Sequence, residues 1–470
     1  MFFDSSIYVV FLVLVTLVYW RLKFRAQNYF LLAASYFFYG WWDWRFLCLM
    51  AASTLIDFLV GRSIGLGGEP ARRRVLLIFS LVVNFSVLGF FKYCNFFVDS
   101  FVDVAAALGF EGVPRLVWQI VLPPAISFYT FQEVAYIVDV YRGRIQPARS
   151  LPQYALFVSL FPHLIAGPIQ QPSHLLPQVQ NPRTWDPGKA FDGVVMILEG
   201  LFRKVVIADN CALIANAAFG GSLGGPNFMT VTLGTVAFAW QIYGDFSGYS
   251  CIARGSAQVL GFHFMVNFRQ PYLAQSLQDF WRRWHISLSS WLRDYLYIAL
   301  GGNRKGRVRT YVNLILTMLL GGLWHGANWT FVVWGAIHGF GLAIERFFSR
   351  GRDLADSPGF IARWLRRIAV FSIVCLAWIF FREQSIGAAF HQLAGLAVWE
   401  WRPVYGVALR FLAVFSVLLF LVDLRLEKTG SEYLLGDQPL IQRVAVGIVA
   451  CVFITLLGAN QSNAFIYFQF

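Results

Sequence analysis

Long apolar runs, each followed by a short loop carrying arginine or lysine, recur along this chain. The first run covers residues 1–20 and ends beside Arg21, Lys23 and Arg25. Several later runs approach or exceed the roughly 20 residues that a helix needs to cross a bilayer. Only 13% of the residues are charged and the mean hydropathy is +0.58, whereas a soluble domain carries about 25% charged residues. The pattern predicts an all-α, polytopic integral membrane protein embedded in a lipid bilayer.

The positions of the cations predict the orientation of the chain, because short cytoplasmic loops are rich in lysine and arginine. The first run lacks a basic start and a cleavage site, so we interpret it as a retained span with a periplasmic N-terminus. Further spans are expected at 29–42, 46–60, 75–98, 117–139, 228–250, 329–345, 368–382, 405–424 and 442–458. Strict alternation places the basic group at 62–74 in the cytoplasm and residues 99–116 outside. The cations at 142–149, 254–309 and 346–367 indicate that these groups are cytoplasmic as well, and residues 465–470 are expected outside. We expect one membrane domain over residues 1–470 and no nucleic-acid partner, since the net charge of +13 lies in these loops.

The part between Arg149 and Phe228 departs from this regular pattern. Residues 156–172 (LFVSLFPHLIAGPIQQP) are short and interrupted by proline. They predict a broken or re-entrant segment lining a cavity, since only there are freed backbone groups satisfied at membrane depth. The next segment, with Glu199, Arg203 and Lys204, is either an amphipathic helix with an i, i+4 pair or a span with functional charges.

Asp245 lies among glycines and aromatic residues in the run GDFSGYS. A carboxylate within an apolar span is costly and usually faces a cavity or a partner group. Asp245 is therefore a candidate substrate- or donor-binding residue.

Three of the seven histidines fall between Asp279 and Arg346. From Phe280 to about Leu300, aromatic and leucine side chains recur every three or four residues, which predicts one amphipathic helix at the cytoplasmic interface. Asp279 is expected to pair with Arg283. His285 lies on the apolar face, either as a hydrogen-bonded core residue or as a residue that positions substrate.

His325 is the strongest candidate for the chemistry. Residues 310–324 span roughly 22 Å as a helix, less than the roughly 30 Å of a hydrocarbon core, so His325 should lie inside the membrane. Gly321, Gly322 and Gly326 surround it and would allow another chain or a substrate to approach closely. Burial favours the neutral imidazole, which can act as a general base. The alternative is a histidine bonding across helices, and His338 is a weaker candidate on the same grounds.

Other kinds of site find little support. The six cysteines form no CxxC pair and show no metal-ligand spacing, so no metal site is expected. The chain has no GxSxG, HExxH, Walker or dinucleotide motif. The basic loop GGNRKGRVR, with Arg304 and Lys305, either holds the loop in the cytoplasm or contacts the phosphates of an anionic donor.

At WRRWHISLSSWLRDYLYIALGGNR and LLGGLWHGANWT the sequence resembles the membrane-bound O-acyltransferase family, and within it the branch of bacterial alginate O-acetylation subunits. FKYCNFF, LPPAISFYTFQEVAYIVDVYRG, FPHLIAGPI, GDFSGYS and FIYFQF are similar to further blocks of that family in the same order. The one departure is Cys251-Ile252 after GDFSGYS, where the branch usually has aspartate and methionine. This departure bears on the polymer or partner more than on the reaction.

The resemblance implies a fold of roughly 10–12 transmembrane helices with re-entrant and interfacial helices around a central channel. It also implies that His325 and His285 are catalytic, that acetyl-CoA is the acyl donor and that no cofactor is bound. The acetyl group would pass across the bacterial inner membrane to a periplasmic SGNH-type transferase of the exopolysaccharide machinery, which acetylates an alginate- or cellulose-type polymer. We further expect Trp324 and Asn328 to stabilise the oxyanion.

Three alternatives remain at this point. A transporter or channel would also show buried charges, broken helices and glycines, although no inverted repeat is evident. A noncatalytic scaffold of an export complex is the second alternative. Within the enzyme class, the chain could transfer another acyl group, such as D-alanine to teichoic acid.

Overall fold

The computed structural model describes residues 1–470 except 111, 116–117, 166, 350–358, 433–437, 460–464 and 467–470. The described residues form twenty α-helices and no β-strand. The basic group expected at 346–367 and the residues 465–470, which were expected outside, therefore lie partly outside the described residues. Two compact units divide the chain, and the prediction of a single domain stays a prediction.

Unit 1 comprises Met1–Asp186 and Leu260–Phe264. Its helices are α1 (Ser6–Tyr19), α2 (Phe24–Gly40), α3 (Arg45–Gly65), α4 (Pro70–Leu88), α5 (Cys94–Ala107), α6 (Ile126–Tyr141), α7 (Leu151–Ser159), α8 (Phe161–Leu164) and α9 (Pro172–Gln180). A π-helical turn, Gly89–Tyr93, joins α4 to α5, so these two helices form one continuous rod.

Unit 2 comprises Pro187–Val259 and Met265–Phe470. Its helices are α10 (Pro187–Leu201), α11 (Asp209–Phe219), α12 (Phe228–Val259), α13 (Leu277–Arg283), α14 (Ile286–Trp291), α15 (Arg307–His325), α16 (Trp329–Phe348), α17 (Phe360–Arg382), α18 (Ile386–Gly395), α19 (Pro403–Thr429) and α20 (Leu440–Leu457). Two π-helical segments, Phe202–Ala208 and Leu292–Tyr297, extend α10 and α14.

Six helices in the described part of the chain are long and apolar enough to cross a membrane: Arg45–Gly65, Pro70–Ala107, Trp329–Phe348, Phe360–Arg382, Pro403–Thr429 and Leu440–Leu457. Five of them include a span expected from the sequence, and Leu440–Leu457 covers all but the last residue of the span expected at 442–458. The prediction of an all-α, multi-pass membrane protein is confirmed. Helix α1 has 14 residues and is shorter than the run that predicted it.

The span expected at 117–139 is wrong at its start. Helix α6 begins at Ile126, after Pro123 and Pro124 and after Ala125, which has φ 63°. Proline lacks the amide hydrogen and disfavours helical backbone in the residue before it, so the helix does not extend back through this pair. Residue 117 itself lies outside the described residues.

The break expected within 156–172 is present. Helix α7 ends at Ser159. The next residue, Leu160, has φ −51° and ψ 110°, and this non-helical backbone separates α7 from the single turn of α8. His163 in α8 is buried, and its Nε2 lies 3.1 Å from the Phe157 carbonyl oxygen. Residue 166 lies outside the described residues.

Charged side chains are buried where α10 continues into its π-helical segment. Arg203 pairs with Glu199 at 2.7 Å, one turn away, as the i, i+4 alternative predicted. Lys204 lies 2.8 Å from Asp209 and 3.0 Å from Asp245. Since Arg203 and Lys204 are both buried, these charges face the protein interior rather than solvent.

Helices α10 and α12 meet through paired glycines. A Cβ atom added at Gly248 would lie 2.7 Å from the Gly200 carbonyl oxygen, and one at Gly200 would lie 2.6 Å from that of Gly248. Small residues at such a contact let two helix backbones approach closely. This contact holds the helix that carries Asp245 and Phe246 against α10.

Candidate functional site

The expected helix from Phe280 to Leu300 is interrupted at His285. Helix α13 ends at Arg283, His285 adopts φ 42° and ψ 53°, and α14 then starts at Ile286. The predicted pair between Asp279 and Arg283 is present at 2.6 Å.

Asn267 explains this interruption. Its backbone oxygen accepts a hydrogen bond from the Ile286 amide at 2.9 Å, and its side-chain Oδ1 accepts one from the Ser287 amide at 3.3 Å. In a continuous helix those amides would bond to residues one turn earlier. Because Asn267 satisfies them instead, the chain can turn and bury the His285 side chain.

The same side chain determines the tautomer of His285. Asn267 Oδ1 also accepts from Ser287 Oγ at 2.9 Å, and its distance to His285 Nδ1 is 3.1 Å. Since a backbone amide donates to that oxygen, the facing His285 Nδ1 must be a donor too. The neutral His285 therefore carries its proton on Nδ1 and its lone pair on Nε2. Burial lowers the pKa of His285 to about 3, so the ring is uncharged at neutral pH.

His325 is the last residue of α15, which starts at Arg307 rather than at the expected residue 310. The chain then turns through Gly326 to Asn328, whose side chain caps α16 by accepting from the Thr330 amide at 3.0 Å. Phe331 of α16 packs where side chains at Gly322 or Gly326 would stand. The glycines around His325 thus serve the close approach of α16, one of the two uses predicted for them.

Three histidines and several aromatic rings come together between α13, α15, α16 and α17. The His285 and His325 ring centroids are 6.3 Å apart, and Trp324 lies 6.0 Å from the first and 5.1 Å from the second. Trp334 lies 5.1 Å from His325 and 4.9 Å from His338. We call His285, Trp324, His325, Trp334 and His338 the histidine cluster. All five are at least 96% buried, with exposures of 0, 4, 4, 0 and 0%.

His338 contributes to the cluster through Trp281. The Trp281 indole Nε1 donates to His338 Nδ1 at 3.3 Å, which places the His338 proton on Nε2. The Phe280 ring stacks on the His338 ring, with centroids 5.9 Å apart and an interplanar angle of 8°. His338 therefore packs against Trp334, which in turn contacts His325.

A cavity of about 470 Å³ lies next to Trp281. Among its lining residues are Trp281, Arg282, Ser289, Arg293, Glu345 and Arg346. The lining carries three guanidinium groups and one carboxylate, and Arg293 also pairs with Asp294 at 2.8 Å, which leaves the cavity electropositive by one charge. Because Trp281 lines the cavity and contacts His338, one layer of side chains separates the cavity from the histidine cluster.

The remaining predicted site residues lie in different surroundings. Asp245 pairs with Lys204 and accepts from the Ile466 amide at 2.7 Å, although the ring of the next residue, Phe246, packs 4.6 Å from His285. The Asn328 side chain also donates to the Gln384 carbonyl oxygen at 2.9 Å. Arg304 and Lys305 are exposed in the turn before α15, and neither is among the residues that line the cavity. The predicted roles of these residues in binding stay predictions.

Comparison with known proteins identifies related chains. The sequence model of the family described as "MBOAT, membrane-bound O-acyltransferase family" matches residues 148–388. The chain is 40% identical to "Probable alginate O-acetylase AlgI" of Azotobacter vinelandii, with all of both chains covered. It is 33% identical to the peptidoglycan O-acetyltransferase of Helicobacter pylori, over 94% of this chain and 91% of the relative. Identity to the teichoic acid D-alanyltransferase of Streptococcus thermophilus is 28%, over 54% of this chain and 67% of the relative.

Proposed function

Because this chain belongs to the membrane-bound O-acyltransferase family, we propose that it takes an acetyl group from acetyl-CoA and passes it toward an exopolysaccharide. It is an enzyme, a multi-pass membrane O-acyltransferase of polysaccharide acetylation. The observation that supports a site for this reaction is the convergence of His285 and His325 in one buried cluster.

His325 is the base in this proposal. An acceptor hydroxyl oxygen attacks the thioester carbonyl carbon while His325 removes the hydroxyl proton. The carbon–sulfur bond then breaks, an ester remains, and the proton passes from His325 to the leaving thiolate. General-base help of this kind contributes about 10²- to 10⁴-fold in rate.

His285 orients the acceptor in this proposal. The single hydrogen of the reacting hydroxyl goes to His325. The Nε2 lone pair of His285 therefore accepts a hydrogen bond from a second donor group of the acceptor, because Asn267 holds the His285 proton on Nδ1. Trp324 contacts both imidazole rings and is the better placed of the two predicted oxyanion donors, since Asn328 Nδ2 already donates to the Gln384 carbonyl oxygen. Preorganised donors in a site that excludes water stabilise a developing oxyanion strongly.

The electropositive cavity is the proposed place for the anionic part of the donor. Arginine forms paired hydrogen bonds with phosphate oxygens, which suits the phosphates of coenzyme A. The candidates from the sequence for this contact are Arg304 and Lys305. Further candidates are the cavity-lining residues Arg282, Arg293 and Arg346.

Location and partners complete the proposal. The basic loops favour a bacterial inner-membrane protein with a periplasmic N-terminus and a donor site open to the cytoplasm. A periplasmic SGNH-type transferase of the exopolysaccharide machinery then receives the acetyl group and modifies the polymer.

The deciding experiment uses the purified full chain in lipid nanodiscs with acetyl-CoA labelled in its acetyl group. Alginate, cellulose and the periplasmic transferase are offered separately as acceptors. We expect labelled acetyl on an acceptor with the wild type and none with His325→Ala, at equal protein levels in the membrane. Normal transfer by His325→Ala would exclude His325 as the base.

The matched control is His391→Ala, because His391 is exposed on α18 outside the cluster and its loss should leave transfer unchanged. A D-alanyl thioester tested in parallel distinguishes the acyl groups. Transfer of D-alanine but not of acetyl would overturn the choice of donor.

A further inference from the structure

Unit 1 encloses two carboxyl groups that the proposed acyl transfer does not use. Asp57 lies on α3 and Glu133 on α6, and both are 0% exposed. Ionisable groups inside a membrane protein are rare because burying a charge is costly, so a buried pair usually has a function.

Hydroxyl groups from α3, the helix that carries Asp57, bind Glu133. Glu133 Oε1 accepts hydrogen bonds from Ser53 Oγ at 3.2 Å and from Thr54 Oγ1 at 3.1 Å. Ser53 and Asp57 are i, i+4 neighbours and therefore lie on the same face of the helix. One polar cluster thus contains both acids.

Asp57 has the surroundings of a charged carboxylate. Its Oδ1 accepts from Ser80 Oγ at 2.5 Å and its Oδ2 accepts from Asn84 Nδ2 at 2.8 Å. Both donors come from α4, and such short bonds are typical of an ionised acceptor. Each Asp57 oxygen therefore has a donor that stabilises the negative charge.

Glu133 has different surroundings. Both of its donors bind Oε1, while the buried Oε2 has no hydrogen-bond partner in the described part of the chain. A fully buried carboxylate oxygen without a donor is strongly disfavoured, whereas a protonated oxygen carries no net charge.

In the described part of the chain, no cation compensates the pair. Within the described residues, neither Asp57 nor Glu133 forms a salt bridge, and the ionisable groups that face them are the phenols of Tyr36, Tyr129, Tyr136 and Tyr154 on α2, α6 and α7. The Tyr154 hydroxyl is buried, lies within electrostatic range of both acids and has no hydrogen-bond partner among the residues that the structure describes. Two like charges in one buried cluster cannot both persist without a bound cation.

We propose that this cluster is a proton-binding site in which Glu133 holds the proton and Asp57 carries the charge. A proton fits the cluster better than a metal ion, because the Ser80 hydroxyl and the Asn84 amide already direct their hydrogens at Asp57. The site is separate from the acyl-transfer proposal and stands whether or not that proposal holds.

The site makes unit 1 sensitive to pH. A free glutamate releases its proton near pH about 4.3, whereas folded Glu133 retains it at neutral pH. Because the folded chain then binds more protons than the unfolded chain, its stability falls as the pH rises above that value.

Infrared spectroscopy of the purified full chain at neutral pH tests the proposal. We expect the carbonyl stretching band of a protonated carboxylic acid in the wild type, its loss in Glu133→Gln and its persistence in Asp57→Asn. Glutamine has the shape of the protonated acid, so Glu133→Gln should fold. The matched control is Glu400→Gln, since exposed Glu400 pairs with Arg402 and should contribute no such band.

Isotope labelling gives an answer that needs no variant. Carboxyl ¹³C in glutamate should shift the wild-type band, and the same label in aspartate should not. A wild-type spectrum without the band, or a band that moves only with aspartate label, would overturn the assignment to Glu133. Thermal stabilisation by sodium over an equal concentration of choline would show instead that the site holds a metal cation.

Discussion

The side-chain amide of Asn267 determines which nitrogen of His285 can accept a proton. It binds His285 Nδ1 and both donors of Ser287, and it is itself held by a bond from its Nδ2 to Ser250 Oγ at 3.2 Å. In the proposed reaction His285 presents a lone pair to a donor group of the acceptor, and a fixed tautomer keeps that lone pair on Nε2. Asn267 is therefore a positioning residue for His285.

Changing Asn267 to aspartate should alter the pH dependence of acetyl transfer. Burial lowers the pKa of His285 to about 3, and a carboxylate at Nδ1 would raise it by about 1–3 units. Protonation then begins at higher pH, so the acidic limb of the rate profile should move upward in Asn267→Asp. The measurement is kcat for acetyl transfer as a function of pH.

Ser250→Ala is the control for this prediction. It removes the support of the Asn267 amide nitrogen without adding charge, so the acidic limb should stay where the wild type has it. An acidic limb that does not move in Asn267→Asp would mean that Asn267 has a packing role only.

Among individual residues, the sequence indicated the candidate histidines but not Asn267, which positions His285. His285, Trp324 and His325 were all candidates from the sequence, and they lie together in the folded chain. Asn267 could not be predicted from the sequence, because its hydrogen-bond partners lie 18 and 20 positions away along the chain. Only folding brings these residues into contact. Its single signal was an amide side chain in a short apolar stretch.

Among the helices, the contact between α10 and α12 depends on glycines at its centre. Gly248→Ala should destabilise unit 2, because the added Cβ would meet the Gly200 carbonyl oxygen and the Lys204 amide, and backbone atoms move reluctantly. Overpacking of this kind costs about 1–3 kcal/mol. Thermal unfolding in detergent should show a lower midpoint for this variant.

Gly406→Ala is the matched control for that substitution. Gly406 also lies inside a helix, but a Cβ there would meet only a Trp401 ring atom at 3.8 Å. Alanine favours helix over glycine, so the midpoint should hold or rise slightly. Equal midpoints for the two variants would contradict the role of the α10–α12 contact.

Helices were predictable where length and apolarity alone define them. The expected spans at 368–382 and 405–424 fall within α17 and α19. The prediction of one continuous helix from Phe280 was wrong. Hydrophobic periodicity shows which residues share a helix face, but it does not show that a distant residue, Asn267, accepts hydrogen bonds from the backbone amides of Ile286 and Ser287. The π-helical segments likewise leave no signature in composition.

For the whole molecule, orientation in the membrane is the main expectation to test. Lys305 is exposed in the turn before α15, and the basic residues around it predict a cytoplasmic position. A Lys305→Cys variant should react with a membrane-impermeant thiol reagent only after the cells are permeabilised. Cys48 and Cys451 are exposed and need replacement by serine first.

Asp103→Cys serves as the opposite control. Asp103 is exposed on α5, in a stretch expected on the periplasmic side, so it should react in intact cells. Labelling of Lys305→Cys in intact cells would reverse the assigned orientation.

The class of the molecule was evident from its apolar runs, and the family from the blocks around His285 and His325. The division into two compact units was not evident, because residues 260–264 leave one unit and join the other. Such an exchange depends on long-range packing, which hydropathy along the chain does not report.

The left-handed backbone at His285 has a consequence for the evolution of this enzyme. With φ at 42°, the position would suit glycine or asparagine better than imidazole on conformational grounds alone. In the proposed reaction His285 orients the acceptor, so selection for acyl transfer and selection for thermal robustness act against each other at this residue. In a lineage that has lost its substrate, this histidine should be among the first residues to drift.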